Sequence, residues 1–333
     1  MIPFLALILT LATLSAFGDE REPEHVLSQF ERDYVLLKGG QFEVEENFTY
    51  TYYSARQIFL ESFAILDPVF LTLGQFGIES AKRNIFVNTF ILRAGVTNFL
   101  QLEVSVPLVY RYDMVSIVGS GETDRGERDM ERADMGDVAI GVSIQPLKET
   151  ASRPALILNV GYKTKTGRSP FDIDPEKDVP TGTGYASVRA GFNLVKSIDP
   201  VVVYGGLAYI YNIPEEVNKQ ISANVDSDAE LETGFLRKVY PGDTINFNVG
   251  MAYALSYMFS ISAQFIESYT LSTYIETEEG KKRVKNSILN SALFKFGAGM
   301  SATRNVPVSF GIYMGLTDDA PDYIVEVRIP IKF

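Results

Sequence analysis

Charged side chains recur at every second position in several stretches of this 333-residue chain. Glu43 and Glu45, Arg111 and Asp113, Lys163 and Lys165, and Glu326 with Arg328 follow this spacing. In an extended strand successive side chains point to opposite sides, so each set lies on one face. Rows of charge along an interior wall tune which ions and solutes pass; paired with one another, they simply fill it. Catalysis finds less support. Histidine is the usual base for a serine nucleophile and for proton transfer, and the only one here, His25, lies ahead of the alternating stretches. No phosphate loop, dinucleotide fingerprint or metal triad appears, so an enzyme is not expected, and neither is a cofactor. Zero cysteines remove disulfides, thiolate chemistry and Cys-type zinc sites together. The formal charge of −12 argues against a nucleic-acid partner, which needs a basic surface.

Two acidic clusters invite a metal reading. Asp172-Ile173-Asp174-Pro175-Glu176-Lys177-Asp178 alternates carboxylates as a calcium loop does. Position six is Lys177 instead of Gly and position twelve is Thr183 instead of Glu, so the EF-hand pattern fails. Asp318, Asp319 and Asp322 crowd a tight turn, where solvated carboxylates are common. No metal site is assigned.

The element that positions such charges is a β-strand with one apolar face. The last strand is the clearest: Tyr323, Val325, Val327, Ile329, Ile331 and Phe333 oppose Asp322, Ile324, Glu326, Arg328, Pro330 and Lys332. If the apolar face meets lipid, turning the strand over aims Arg328 at hydrocarbon, at about 2–4 kcal/mol near the midplane. The same alternation recurs in 102–113, 137–145, 156–165, 245–255 and 306–316. Alternation alone also suits a soluble sandwich. The connections favour a membrane barrel: short turns near 97–99, 147–153, 198–200, 256–258 and 304–305 alternate with long polar stretches near 116–134, 167–181, 214–241 and 277–285. That is the periplasmic-turn, extracellular-loop rhythm of outer-membrane barrels. The 18 Tyr and 22 Phe suit interfacial girdles. The expected fold is therefore all-β, a transmembrane antiparallel barrel of about twelve strands over residues 40–333. Fourteen is the alternative if the apolar stretch within 55–84 adds a strand pair; it is otherwise a hairpin extension or a lumenal plug. Glu267 falls on a lipid face, near the outer interface or at a bulge.

Residues 1–18 form an apolar run ending in Ala16-Phe17-Gly18, a signal peptide by length and small-residue pattern, although no Lys or Arg precedes the run. Residues 19–39 place Val26, Leu27, Phe30 and Tyr34 at helical spacings, a short helical, amphipathic segment on the periplasmic side. On this register the lumen-lining residues, and candidates for selectivity, are Arg93, Glu103, Arg111, Asp113, Asp137, Lys163, Lys165, Arg189, Lys295, Glu326 and Arg328; Glu43, Glu45 and Lys332 face inward too. Twelve strands lie between solid eight-stranded barrels and porins of 16–18 strands, which favours a narrow or gated passage.

Several segments in order resemble an outer-membrane transporter family associated with the phenol meta-cleavage degradation pathway. They include Tyr34-Val35-Leu36-Leu37-Lys38-Gly39-Gly40 running on to Tyr50, Leu102–Asp113, Gly136-Asp137-Val138-Ala139-Ile140-Gly141, and Thr166-Gly167-Arg168-Ser169-Pro170-Phe171. Pro180–Tyr185, Asp199-Pro200-Val201-Val202, Pro241-Gly242-Asp243 and Leu316–Asp322 complete the set. The resemblance implies a barrel channel for small hydrophobic or aromatic solutes. The expected location is the cell outer membrane after export to the periplasm. Expected partners are the lipid bilayer, the barrel-assembly machinery through the strand ending at Phe333, and an unknown small solute. The competing reading is a closed structural or receptor-type barrel acting through its extracellular loops.

Overall fold

The computed structural model describes residues 36–56, 77–118, 125–173, 177–223, 232–256, 258–284, 287–303 and 306–333. The signal-peptide and helical-segment expectations for residues 1–35, with His25, lie outside these, as does 57–76.

Thirteen strands form one antiparallel sheet that closes on itself. The chain enters through β1 (Phe42–Arg56), β2 (Gly77–Thr97) and β3 (Leu100–Val118). Next come β4 (Arg125–Met135) and β5 (Ala139–Leu147), both of which pair with β3, one above the other. They occupy one position in the wall, so the barrel is twelve strands round. β6 (Ala155–Lys163), β7 (Ser187–Ile198) and β8 (Val201–Asn212) continue the wall. The chain then leaves it for β9 (Glu215–Ala223) and β10 (Glu232–Tyr240), and returns through β11 (Thr244–Ala254) and β12 (Phe259–Thr270). It leaves again for β13 (Tyr274–Thr277) and β14 (Gly280–Arg283), and finishes with β15 (Leu289–Thr303), β16 (Val306–Gly315) and β17 (Tyr323–Lys332). β1 pairs with β17 over ten residues and so closes the ring.

The exposure pattern decides between sandwich and barrel. Leu158, Val160, Leu207, Val249, Ile261 and Ile312 are all exposed on the outside of the wall. A soluble protein would bury such a belt; a lipid-facing surface requires it. Tyrosines band this surface: Tyr52 stacks on Tyr323 at 5.3 Å and Tyr50 on Phe86 at 4.6 Å. Among the described residues no helix is long and apolar enough to cross a membrane.

The two ends differ. One carries short turns, such as the bridge between Thr150 and Arg153. At the other, the stretches expected as loops are largely strand. Within 116–134, residues 116–118 and 125–134 pair as the outer part of a β3–β4 ladder. Much of 214–241 and 277–285 forms a second sheet, ordered β14-β13-β10-β9. Its own core is Leu236, Val239, Ile275 and Val284, with Phe171 and Val217 against it. On its other side Tyr240 donates to Glu276 at 2.8 Å, and that hydrogen bond raises the phenol's pKa above its ordinary value. β1 and β2 likewise pair as far as Arg56 and Ser80, so the described ends of 55–84 extend the first hairpin. β12 pairs with both neighbours without a register shift, so Glu267 faces outward with no bulge behind it.

Candidate functional site

The inner wall has two unlike halves. On β1–β3 and β15–β17 it is charged. The pleat that turns Val44, Phe90 and Val327 outward turns Glu43, Glu45, Arg93 and Arg328 inward, and strand pairing brings them side by side. Arg93 donates through Nη1 to Glu43 at 2.8 Å and Glu45 at 2.7 Å, and through Nε to Glu103 at 2.7 Å. Arg328 adds a bond to the second oxygen of Glu45 at 2.9 Å. Glu326 accepts from Lys295 at 2.7 Å, Tyr313 at 2.8 Å and Asn47 at 3.2 Å. Further along β3, Arg111 donates to Asp113 at 2.6 Å, with Arg83 3.4 Å away on the other side. Glu43 and Glu45 are each 2% exposed and Arg93 6%. Charges so deeply removed from water hold only as a hydrogen-bonded set, because each ion left alone bears its full desolvation cost.

On β5–β12 the inner wall is built largely of small, neutral side chains, with Lys163 and Arg189 as its charged members. Gly141 and Ser143, Asn159 and Gly161, Gly191 and Asn193, and Gly206 and Ala208 line it in register. Ser143 donates to Asn159 at 2.8 Å, and Asn246 to Ser268 at 2.7 Å. Some of its glycines make way for neighbours: a Cβ on Gly206 would lie 2.0 Å from the Asn193 oxygen. Others leave room, since a Cβ on Gly161 or Gly141 would meet nothing closer than 3.6 Å. Arg189, also inward on β7, is exposed here instead of buried.

Toward the short-turn end the neutral half turns apolar. Ala155, Ile157, Val195, Val202, Tyr204 and Ala252 form a buried cluster inside the wall, and Leu36 and Ala254 pack on it. The chain preceding β1 is tied to the barrel beside this cluster. Leu37 donates its amide to Gln101 Oε1 at 2.9 Å, Gly39 to Asn98 at 3.0 Å and Gly40 to the Gly95 carbonyl at 2.7 Å. A side chain at Gly95 would collide with the Lys38 carbonyl at 2.2 Å, so glycine is needed for this approach. These cluster residues escaped the list of lumen candidates. Their signal is a strand apolar on both faces, Leu156-Ile157-Leu158 and Val201-Val202-Val203, which marks burial on both sides.

Asp137, Lys163 and Lys165 lie at the opposite end. Asp137 belongs to no strand; it sits in the gap between β4 and β5. Pro107 of β3 faces that gap, and having no N–H it offers the wall only its carbonyl, taken by Gly136 at 2.9 Å. Lys163 donates to Asp137 at 2.8 Å, and the amides of Gly167 and Thr183 donate to the same carboxylate at 3.0 and 2.9 Å. Thr166 and Thr181 cap the carbonyls of Gly136 and Met135 at 3.1 and 2.9 Å. The segment 164–186 is thereby stitched over the gap. Lys165 pairs with Glu215. Of the two acidic clusters, Asp172 takes Lys219 at 2.6 Å and Asp178 takes Arg168 at 3.0 Å. Asp319 and Asp322 accept the amides of Asn290 and Ser54, each at 2.7 Å.

The eleven lumen candidates therefore separate into groups. Arg93, Glu103, Lys295, Glu326 and Arg328 join in the lower network; Arg111 and Asp113 form a pair above it. Asp137, Lys163 and Lys165 close the far end, and Arg189 faces the neutral side.

No family model matches the chain. Its fold is similar to that of an outer membrane channel from Pseudomonas putida F1, at 12% identity over 94% of this chain and 100% of that one, with a TM-score of 0.59. The translocator domain of autotransporter NalP from Neisseria meningitidis aligns at 10% identity over 92% and 93% of the two chains, TM-score 0.47. The CymD monoaromatic hydrocarbon channel aligns at 9% identity over 89% and 88%, TM-score 0.43. At these identities the likeness is one of fold.

Proposed function

We propose that this chain is an outer-membrane channel or transporter, with its short turns in the periplasm and its long hairpins outside the cell. The observation that carries this reading is the neutral inner wall. Gly141, Ser143, Asn159 and Gly161 present small groups along one side of the lumen, and a Cβ added at either glycine would meet only ordinary contacts. A passage bounded there by glycine and amide groups with Arg189 beside Gly161, and on the far side by charges largely paired with one another, presents little fixed charge to a solute. Small hydrophobic or aromatic solutes fit such a path, and the sequence resemblance to transporters linked with phenol meta-cleavage supports the aromatic class. The apolar cluster with Leu36 against it narrows the periplasmic end, which suits a gated passage over an open pore. We assign the strand ending at Phe333 as the segment that engages the barrel-assembly machinery.

The test is conductance in planar bilayers together with uptake of aromatic and aliphatic solutes into liposomes. Discrete current steps and faster aromatic uptake are expected. A folded barrel silent in both assays would overturn the channel reading. It would favour a receptor-type barrel, for which the separately cored extracellular sheet β9–β10–β13–β14 would be the working surface.

A further inference from the structure

The outward face of β1, β2, β3 and β17 is apolar at hydrocarbon depth except at one place. On β1, Glu46 stands between Val44 and Phe48; on β2, Asn88 stands between Phe86 and Phe90. Strand pairing puts Glu46 beside Phe90 and Ile329, and Asn88 beside Phe48 and Leu108. Glu46 is four positions from Phe42, whose ring is exposed at the short-turn edge. At about 3.4 Å per residue and a tilt of 35–45°, that is roughly 10 Å into a belt about 25 Å tall. The tyrosine band of Tyr50, Tyr52, Tyr110 and Tyr323 lies farther along the same face. A carboxylate and an amide are thus held near the middle of the lipid-facing surface.

They only partly satisfy each other. Asn88 Nδ2 donates to Glu46 Oε1 at 3.0 Å. The Asn88 oxygen is buried and has no partner among the described residues, and the bond to Glu46 uses only one of the two amide hydrogens, so one remains to give. Glu46 Oε2 has no donor among the described residues and is the matching acceptor. Hydrocarbon solvates neither group, and ionisable residues at membrane depth almost always face protein or water.

We propose that this face is a self-association surface, on which β1 and β2 of one copy pack against β1 and β2 of a second. A two-fold axis along the membrane normal keeps every residue at its own depth. It therefore brings the spare hydrogen of each Asn88 to the Glu46 of the other copy. One unused donor and one unused acceptor on the same patch are the complement that an isologous contact needs. Phe48, Phe86 and Phe90 surround the polar pair with apolar contact. The inference rests on the outward face meeting lipid and is independent of conduction.

The chain has no cysteine, so single-cysteine variants report contacts without background. In native-lipid nanodiscs and in vesicles, the full chain is expected to have the mass of a dimer, and Phe48→Cys to form a disulfide-linked dimer under mild oxidation. Phe247→Cys, on the outward face of β11, is expected to remain monomeric on gels. Glu46→Leu combined with Asn88→Leu in the Phe48→Cys background should reduce the cross-linked product at least tenfold, with the heat-dependent gel shift of the folded barrel retained. A monomeric wild-type mass, equal cross-linking at Phe48→Cys and Phe247→Cys, or a different protein held at this face would each overturn the proposal. If the double leucine variant does not fold, the cysteine comparison in the otherwise native chain still decides. Loss of conductance with the dimer intact would count against the channel and not against this contact.

Discussion

The charged and the neutral halves of the lumen wall reach stability by opposite routes. On β1–β3 and β15–β17, long charged side chains of neighbouring strands hold one another, with Arg93 between three carboxylates. On β5–β12, short side chains stay near the wall and bond to their strand neighbours, as Ser143 does to Asn159. The first half is a network in which one loss leaves several ions stranded. The second is a set of local contacts, each of which fails alone. The difference teaches where a passage can run: along the side where no buried charge must be disturbed to make room.

The sharpest way to break this contrast is Arg93→Leu. It leaves Glu43 and Glu45 buried without their guanidinium and should destabilise the barrel by about 3–5 kcal/mol, read by urea unfolding in lipid vesicles. A loss below about 1 kcal/mol, the scale of an exposed pair, would show that water already shares this network. Next come two opposed changes in conductance. Gly161→Phe fills the open side and should at least halve the single-channel current, while Leu36→Asp loosens the segment packed on the apolar cluster and should raise it. Equal currents in both variants would place the passage elsewhere. A third contrast lies in selectivity. Arg189→Glu, exposed on the neutral side, should move the reversal potential in a salt gradient toward cations, and Arg111→Ala, whose partner Asp113 lies buried beside it, should move it less. The reverse order would make the buried pair the selectivity element. The smallest effect is expected from Ser143→Ala, a loss of about 0.5–1.5 kcal/mol for one neutral hydrogen bond, with conductance unchanged.

Much of this was legible in the chain because lipid enforces a period of two. Arg328 and Glu326 could be turned inward from β17 alone, since its other face is wholly apolar. The strand number followed from the alternation of short and long connections. What remained hidden had no such enforcement. The β3–β4 extension and the β9–β10 hairpin carry polar residues on both faces, so nothing in 125–135 or 215–223 separates strand from loop. The Asp137 gap was invisible because alternation runs straight through Gly136-Asp137-Val138, while the break arises from Pro107 on the neighbouring strand. Tyr204 and Val202 were passed over because an interior searched for charge does not reveal a plug of hydrocarbon. Glu46 was hidden by its neighbour Glu45, which takes the inward position that a single carboxylate would have claimed.

The closing pair carries a consequence for assembly. Phe333 and Phe42 exchange backbone hydrogen bonds at 2.8 and 3.3 Å, joining points nearly the whole described chain apart. Until that contact forms, β1 and β17 each present a bare edge able to pair with any other strand. Contacts of such sequence separation form slowly, so the seam is expected to close after the hairpins, whose strands are neighbours in the chain. A chain cut short within β17 would keep that seam and expose β1 to pairing with a neighbour's strand instead of its own.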